Sequence, residues 1–272
     1  MEFLGKLFNF FDASMTTPTS YGWFHLMFCV IVVAVTVLMC VFFRDCSERT
    51  FKRIALICWI IFVVLEVYKQ LNYGFSYEDG VFTWDYQWYA FPYQLCSTPL
   101  YALPFVAFLP SGKLHEAIVV YMSVFSFFGG LAVFFYPEQV FISTIGINIQ
   151  TMVHHGMQIV LAVFFTVHRR DRLSFRHYLP SIPVFVVFLL IAFIANVAVY
   201  HVFAAVGIDE TFNMFYIGPY FECTLPILST IYPLVPYPVF FILYSFGFVL
   251  ISLILYYAQY GIIKLVRKKT ND

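Results

Sequence analysis

A thiol and two imidazoles are the side chains of this sequence best suited to covalent chemistry. Cys96 stands in one apolar stretch, and His154 and His155 stand side by side in another. A histidine that removes the Cys96 proton leaves a thiolate able to attack an ester carbonyl, giving an acyl-enzyme that water or a second acceptor resolves. The same histidines with Glu66, and with Glu222 as a further ligand, would instead hold a metal. Adjacent histidines do not match the i, i+4 spacing of helical zinc sites, so this chemistry ranks second and no cofactor is implied. Spacing alone gives the Cys–His pairing no specificity, because buried cysteine is ordinarily inert.

The neighbours of these residues are polar in a pattern. Gln150, His154 and Gln158 recur every fourth residue and share one helix face, while Thr151 and His155 share the adjacent one. Glu66, Lys69 and Gln70 form a second polar group. Ionisable groups inside apolar helices are costly and suggest a functional site. The bland readings are that Lys69 is an i, i+3 partner of Glu66 or snorkels to the interface, and that the two histidines only lock helix packing.

The elements that must position these groups belong in a membrane. The chain is 62% hydrophobic and 11% charged over 272 residues, whereas soluble domains carry about a quarter charged residues. Fifteen basic and fifteen acidic side chains cancel, so no broad positive field gathers nucleic acid. The first twenty residues interleave Lys6 and Asp12 with threonines and show no cleavable leader, so the chain reads as mature throughout. Four of the six cysteines, Cys29, Cys40, Cys58 and Cys96, fall in apolar runs without metal or disulfide spacing.

A helical span needs about 20 apolar residues, and seven stretches qualify: 24–43, 54–72, 91–109, 117–136, 147–167, 181–206 and 238–263. The fold class expected is therefore all-α, a single polytopic transmembrane bundle over residues 1–272. Pro99 and Pro104 would free the carbonyls of Leu95 and Leu100 and kink the third span beside Cys96. Ser126 and Gly130 stand at small-xxx-small spacing, which favours close helix packing. Residues 212–237, interrupted by Pro219, Pro226, Pro233 and Pro236, read as a re-entrant or capping segment.

Thirteen of the fifteen basic residues fall in alternate loops and the tail, namely Arg44 to Arg53, Lys113, Arg169 to Arg176 and Lys264 to Lys269. Loops 73–90, 137–146 and 207–237 hold no Lys or Arg but do hold Glu78, Asp79, Asp85, Glu138, Asp209, Glu210 and Glu222. The positive-inside rule then sets the N-terminus outside and the C-terminus in the cytosol of a cell membrane. In that orientation Glu66, Cys96, His154 and His155 share the outer half. Trp84, Tyr86, Trp88, Tyr89 and Tyr93 read as an aromatic belt, and His25 and His201 as interfacial.

Three stretches carry a resemblance: FPYQLCSTPLYALPF from Phe91, MVHHGMQIVLAVFF from Met152, and FNMFYIGPYFECTLPILSTIYPLVPYPVFF from Phe212. Together the chain resembles the YwaF-like bacterial integral membrane proteins, with their Pro-x-x-Leu-Cys, His-His-Gly and Asn-x-Met-Phe motifs. Pro92, Leu95, Cys96, His154, His155, Gly156, Asn213, Met214 and Phe215 fit, whereas Leu234 to Pro238 depart from the final Gly-Pro motif. That family is similar to multipass membrane acyltransferases that remodel ether phospholipids through a cysteine and a histidine, and more distantly to membrane hydrolases using threonine and histidine. The resemblance implies Cys96 as nucleophile and His154 as base, with His155 as its alternative.

The function expected is thus a membrane-embedded lipid acyltransferase or hydrolase acting on phospholipid acyl esters. Glu66, Gln150, Gln158 and Asn213 would support the site. The alternative is a non-catalytic transporter or sensor that binds a proton, ion or small solute through Glu66, His154 and His155.

Overall fold

The computed structural model describes Lys6, Asn9, Phe10 and residues 12–271, with side chains as far as Val266. The side chains of Arg267, Lys268 and Lys269 in the expected basic tail lie outside the described residues. Helix α1 (Trp23–Phe43) leads into α2 (Glu48–Asn72). Ser47 caps α2 by accepting the Thr50 N–H at 3.2 Å, and Glu48 complements the helix dipole in the first turn.

The chain then forms a feature that the all-α expectation omitted. Strands β1 (Phe75–Glu78) and β2 (Val81–Trp84) pair antiparallel across Asp79 and Gly80. Those two residues have φ of +49° and +81°, as a two-residue hairpin turn matched to strand twist requires.

The third expected span, 91–109, is not one helix. A 3-10 turn (Leu95–Ser97) precedes α3 (Pro99–Phe108), so Pro99 starts a helix at its first position, where its missing N–H is harmless. The Thr98 hydroxyl donates to the Leu95 carbonyl at 2.7 Å. Pro104 does lie inside α3, and the Leu100 carbonyl it frees accepts the Trp59 indole N–H from α2 at 2.9 Å. Ten residues give α3 a length of about 15 Å, half of a hydrocarbon core of about 30 Å.

Helix α4 (Lys113–Tyr121) continues through a π turn (Met122–Ser126) into α5 (Phe127–Phe135). Gln259 donates to the Ser123 carbonyl of that wide turn at 2.9 Å. Helix α6 (Ile145–His168) follows, then the short α7 (Phe175–Tyr178) and α8 (Ser181–Val206). Gly207, at φ +76°, ends α8 in the left-handed conformation that a Cβ disfavours. Residues 212–237 hold a 3-10 turn (Met214–Tyr216) and α9 (Leu228–Ile231), and α10 (Tyr237–Asn271) follows.

Among the described residues, five helical stretches are long and apolar enough to cross a membrane: Trp23–Phe43, Glu48–Asn72, Lys113–Phe135, Phe175–Val206 and Tyr237–Val266. Val30, Val33, Ile194 and Ile242 are each 63% to 68% exposed, an arrangement that lipid tolerates and water does not. The chain is a multipass membrane protein. Helix α6 has the length of a span, yet 15 of its 24 residues are buried. That position accounts for its polar residues, because a helix surrounded by protein need not present an apolar surface to lipid.

Glycines let neighbours approach α6. A Cβ on Gly130 would lie 2.7 Å from the His155 carbonyl oxygen, and one on Gly156 would lie 2.5 Å from a Val32 methyl. The small-residue spacing read at Ser126 and Gly130 therefore marks a close α5–α6 contact. His25, expected at an interface, is fully buried beside Phe134 and Phe141. His201 is exposed and contacts the Tyr220 hydroxyl at 3.1 Å. Of the aromatic group, Trp84 and Tyr89 are exposed while Tyr93 is core.

Candidate functional site

The three motif-bearing stretches meet around Cys96. From α6, His154 Nε2 lies 2.8 Å from the Cys96 carbonyl oxygen, and Gln158 Nε2 donates to the same oxygen. A carbonyl only accepts, so His154 carries its proton on Nε2 and keeps a lone pair on Nδ1. That Nδ1 is buried without a hydrogen-bond partner. His155 is arranged the other way. Its Nδ1 lies 2.7 Å from the Thr151 carbonyl, so Nδ1 donates and Nε2 keeps the lone pair.

The two imidazoles are 5.2 Å apart, and the Phe62 ring meets His154 edge-on at 4.8 Å. Their hydrogen bonds go to main-chain oxygens and not to the thiol. The Cys96 side chain is half-buried. Gly129 packs against the same turn, where an added Cβ would lie 3.4 Å from the Cys96 Cα.

Glu66, buried at 6% exposure, accepts from Lys69 Nζ at 2.9 Å and from Gln70 Nε2 at 2.7 Å on one oxygen. Its other oxygen is buried without a hydrogen-bond partner. The i, i+3 pairing with Lys69 is thus present. Gln70 also donates to the Ala90 carbonyl at 2.9 Å and accepts from the Tyr86 hydroxyl at 2.5 Å, which ties the segment after the hairpin to α2.

The third stretch is held by a residue that sequence reasoning passed over. Gln94 donates to the Asn213 carbonyl at 3.0 Å and accepts the Phe215 N–H at 2.7 Å. Asn196, buried in α8, makes the matching pair of bonds to Met214, and Tyr244 donates to the Phe215 carbonyl at 2.7 Å. Phe215 and Tyr216 both sit at φ +56°, a conformation that costs about 1–2 kcal/mol for a residue with a Cβ. These bonds hold the strained turn. Asn213 closes its own loop, with Oδ1 accepting Gly218 N–H at 2.7 Å and Nδ2 donating to the Glu222 carbonyl at 3.3 Å. Gln150 is buried, with the Thr151 hydroxyl at 3.4 Å.

Gln94 and Asn196 are uncharged, and a search for ionisable groups in apolar runs does not find them. The signal available was that each is a lone amide in an otherwise apolar or aromatic stretch. All six cysteines are free. Among the described residues no group of three or more His, Cys, Asp or Glu side chains gathers as a metal site would require.

Neither the curated proteins nor the solved structures contain a match to the chain. The model of the TMEM164 family matches residues 15–256. The chain belongs to the TMEM164 family.

Proposed function

We propose that this member of the TMEM164 family is a membrane-embedded lipid acyltransferase or hydrolase with Cys96 as nucleophile. The carrying observation is that the Cys96, His-His and Asn-x-Met-Phe stretches, far apart in sequence, are joined by hydrogen bonds from His154, Gln158 and Gln94. The likeness to YwaF-like proteins, and through them to cysteine–histidine membrane acyltransferases, supports the same reading.

In the proposed reaction the Cys96 thiol gives its proton to an imidazole lone pair, on His154 Nδ1 or alternatively His155 Nε2. The thiolate attacks the acyl carbonyl of a phospholipid ester, a thioester forms, and the lipid alkoxide leaves with the proton. A second lipid hydroxyl or water then attacks the thioester, its proton passing to the same nitrogen, and the thiol is restored. Glu66, Gln150, Gln158 and Asn213 support the site.

We further infer seven spans, with the broken segment 91–109, of which α3 is only the second half, and α6 completing the five apolar stretches, in a cell membrane with the N-terminus outside. Residues 12 to 15 meet Asn72 and the start of α6 at the end that carries the hairpin. Loops bearing Arg44, Lys113 and Arg169 gather at the other end, where Arg170 pairs with Asp45. This segregation supports the orientation read from charge.

The test is acyl turnover by purified protein supplied with phospholipids, with Cys96→Ala and His154→Ala beside wild type. Loss of turnover and of an acyl adduct on Cys96 is the expected result. Equal turnover in all three would sink the mechanism. One observation favours the transporter or sensor reading: Glu66 and His154 each hold a buried polar atom without a hydrogen-bond partner. Flux across proteoliposomes that requires Glu66, with no acyl turnover, would establish that reading instead.

A further inference from the structure

The arginine-bearing end of the molecule holds a groove of about 560 Å³ at the start of α4, where the α6–α8 connection packs over it. Lys113, Arg172 and Arg176 line it, with His177 and Glu116. Glu116 is already engaged: Arg169 Nε lies 3.1 Å from one oxygen, Arg172 Nη1 2.9 Å from the other, and His177 3.4 Å from the first. Arg169 is also held by both oxygens of Glu48 at 2.9 Å. Asp171 adjoins Arg172 in the chain. Among the described residues no carboxylate pairs with Lys113 or Arg176, and both are exposed. Gly112, which also lines the groove, brings no side chain to cap the first-turn amides of α4.

Exposed apolar residues adjoin the groove's lining residues in the chain. Leu114, Phe175 and Leu179, chain neighbours of lining residues, are 59%, 48% and 41% exposed. A cationic hollow at the edge of a lipid-facing surface suits an amphiphile, with an anionic phosphate against the cations and acyl chains along these apolar residues. A soluble phosphate has no use for them.

We infer that this groove binds the phosphate headgroup of an anionic phospholipid through Lys113 and Arg176, with Arg172 beside them. The site stands apart from the proposed chemistry. Glu48 marks this end of α2 and Glu66 the Cys96 end, about 27 Å apart at 1.5 Å per residue. The inference therefore holds whether or not Cys96 is a nucleophile.

The experiment is native mass spectrometry of the detergent-purified full chain titrated with phosphatidylglycerol or phosphatidylcholine, for wild type and Lys113→Gln/Arg176→Gln. Neither substitution touches the Arg169 ion pairs, and thermal unfolding in lipid-free detergent checks that the fold is kept. Wild type is expected to retain phosphatidylglycerol about tenfold more strongly than phosphatidylcholine, with the preference lost in the double variant and kept in Lys113→Arg/Arg176→Lys. Equal binding of the two lipids by wild type, or an undiminished preference in the glutamine variant, overturns the proposal. So does displacement of the lipid by millimolar inorganic phosphate, which would mark the groove as a soluble-anion site.

Discussion

His154 meets Cys96 through the main chain: the imidazole Nε2–H donates to the Cys96 carbonyl oxygen at 2.8 Å and leaves Nδ1 free. One side chain thus anchors the 3-10 turn that carries the thiol and offers a lone pair. The two roles are separable. In His154→Gln the amide N–H replaces the anchor but not the proposed base, so thermal stability should stay near wild type while the proposed acyl turnover falls. His154→Ala removes both and should lose about 1–3 kcal/mol as well, since buried hydrogen bonding at the carbonyl is left to Gln158 alone. Thermal unfolding and turnover measured on both variants check this. A stable glutamine variant with full turnover would leave His154 as an anchor only.

The two glycines against α6 should respond differently to a methyl group. At Gly130 the added Cβ meets the His155 carbonyl at 2.7 Å, a backbone atom that cannot turn aside. At Gly156 it meets the end of the Val32 side chain at 2.5 Å. Gly130→Ala is expected to destabilise by about 1–3 kcal/mol. Gly156→Ala should do so only while Val32 is present, and Val32→Ala should rescue it, read as the unfolding temperature of the double variant. Failure of that rescue would show that α1 and α6 are held apart by more than one methyl.

Gln94 controls the strained turn at Phe215. Its side chain satisfies both the Asn213 carbonyl and the Phe215 N–H, so Gln94→Ala leaves the turn to Asn196 and Tyr244. Faster hydrogen exchange confined to residues 213–218 is the expected outcome, with the helices unchanged. Protection equal to wild type would mean that Asn196 and Tyr244 suffice.

Much of the frame is legible in the chain because lipid-facing helices write themselves as apolar runs. The stretch 181–206 becomes α8 at Ser181–Val206, and 24–43 becomes α1 at Trp23–Phe43. The hairpin at Asp79–Gly80 had a plain turn signal, which a composition dominated by membrane helices hides. The break before Pro99 was also written as a proline, but whether proline kinks a helix or starts one depends on what surrounds it; here the Leu100 carbonyl freed farther along finds Trp59.

The shared face of Gln150, His154 and Gln158 follows from helical periodicity, and all three are buried. That His154 and Gln158 converge on a carbonyl rather than a thiol does not follow, because it depends on how α6 docks against a turn some sixty residues earlier. Glu48 and Glu116 lay unread for the same reason. Each is an ordinary helix-start acid until Arg169 is packed between them.

That arginine supports the last prediction. Arg169 is 5% exposed, holds Glu48 by a two-pronged contact at 2.9 Å and Glu116 at 3.1 Å, and stacks over the Phe51 ring at 4.5 Å. It joins α2, α4 and α6 at one end. Removing it takes the guanidinium from Glu48, leaves Glu116 to Arg172 and His177, and uncovers the Phe51 ring, so Arg169→Ala is expected to cost about 3 kcal/mol. Arg169→Lys keeps the charge but not the planar fork or the stacking, and should fall between. Glu48→Gln should cost less than either, because Glu48 is 36% exposed and Arg169 keeps Glu116. The Arg169 contribution should also persist in 1 M salt, where surface pairs are screened within about 3 Å. Unfolding temperatures of the three variants at low and high salt test the order. An Arg169→Ala protein as stable as wild type, or a difference that salt abolishes, would show that this end is held by helix packing and not by its buried guanidinium.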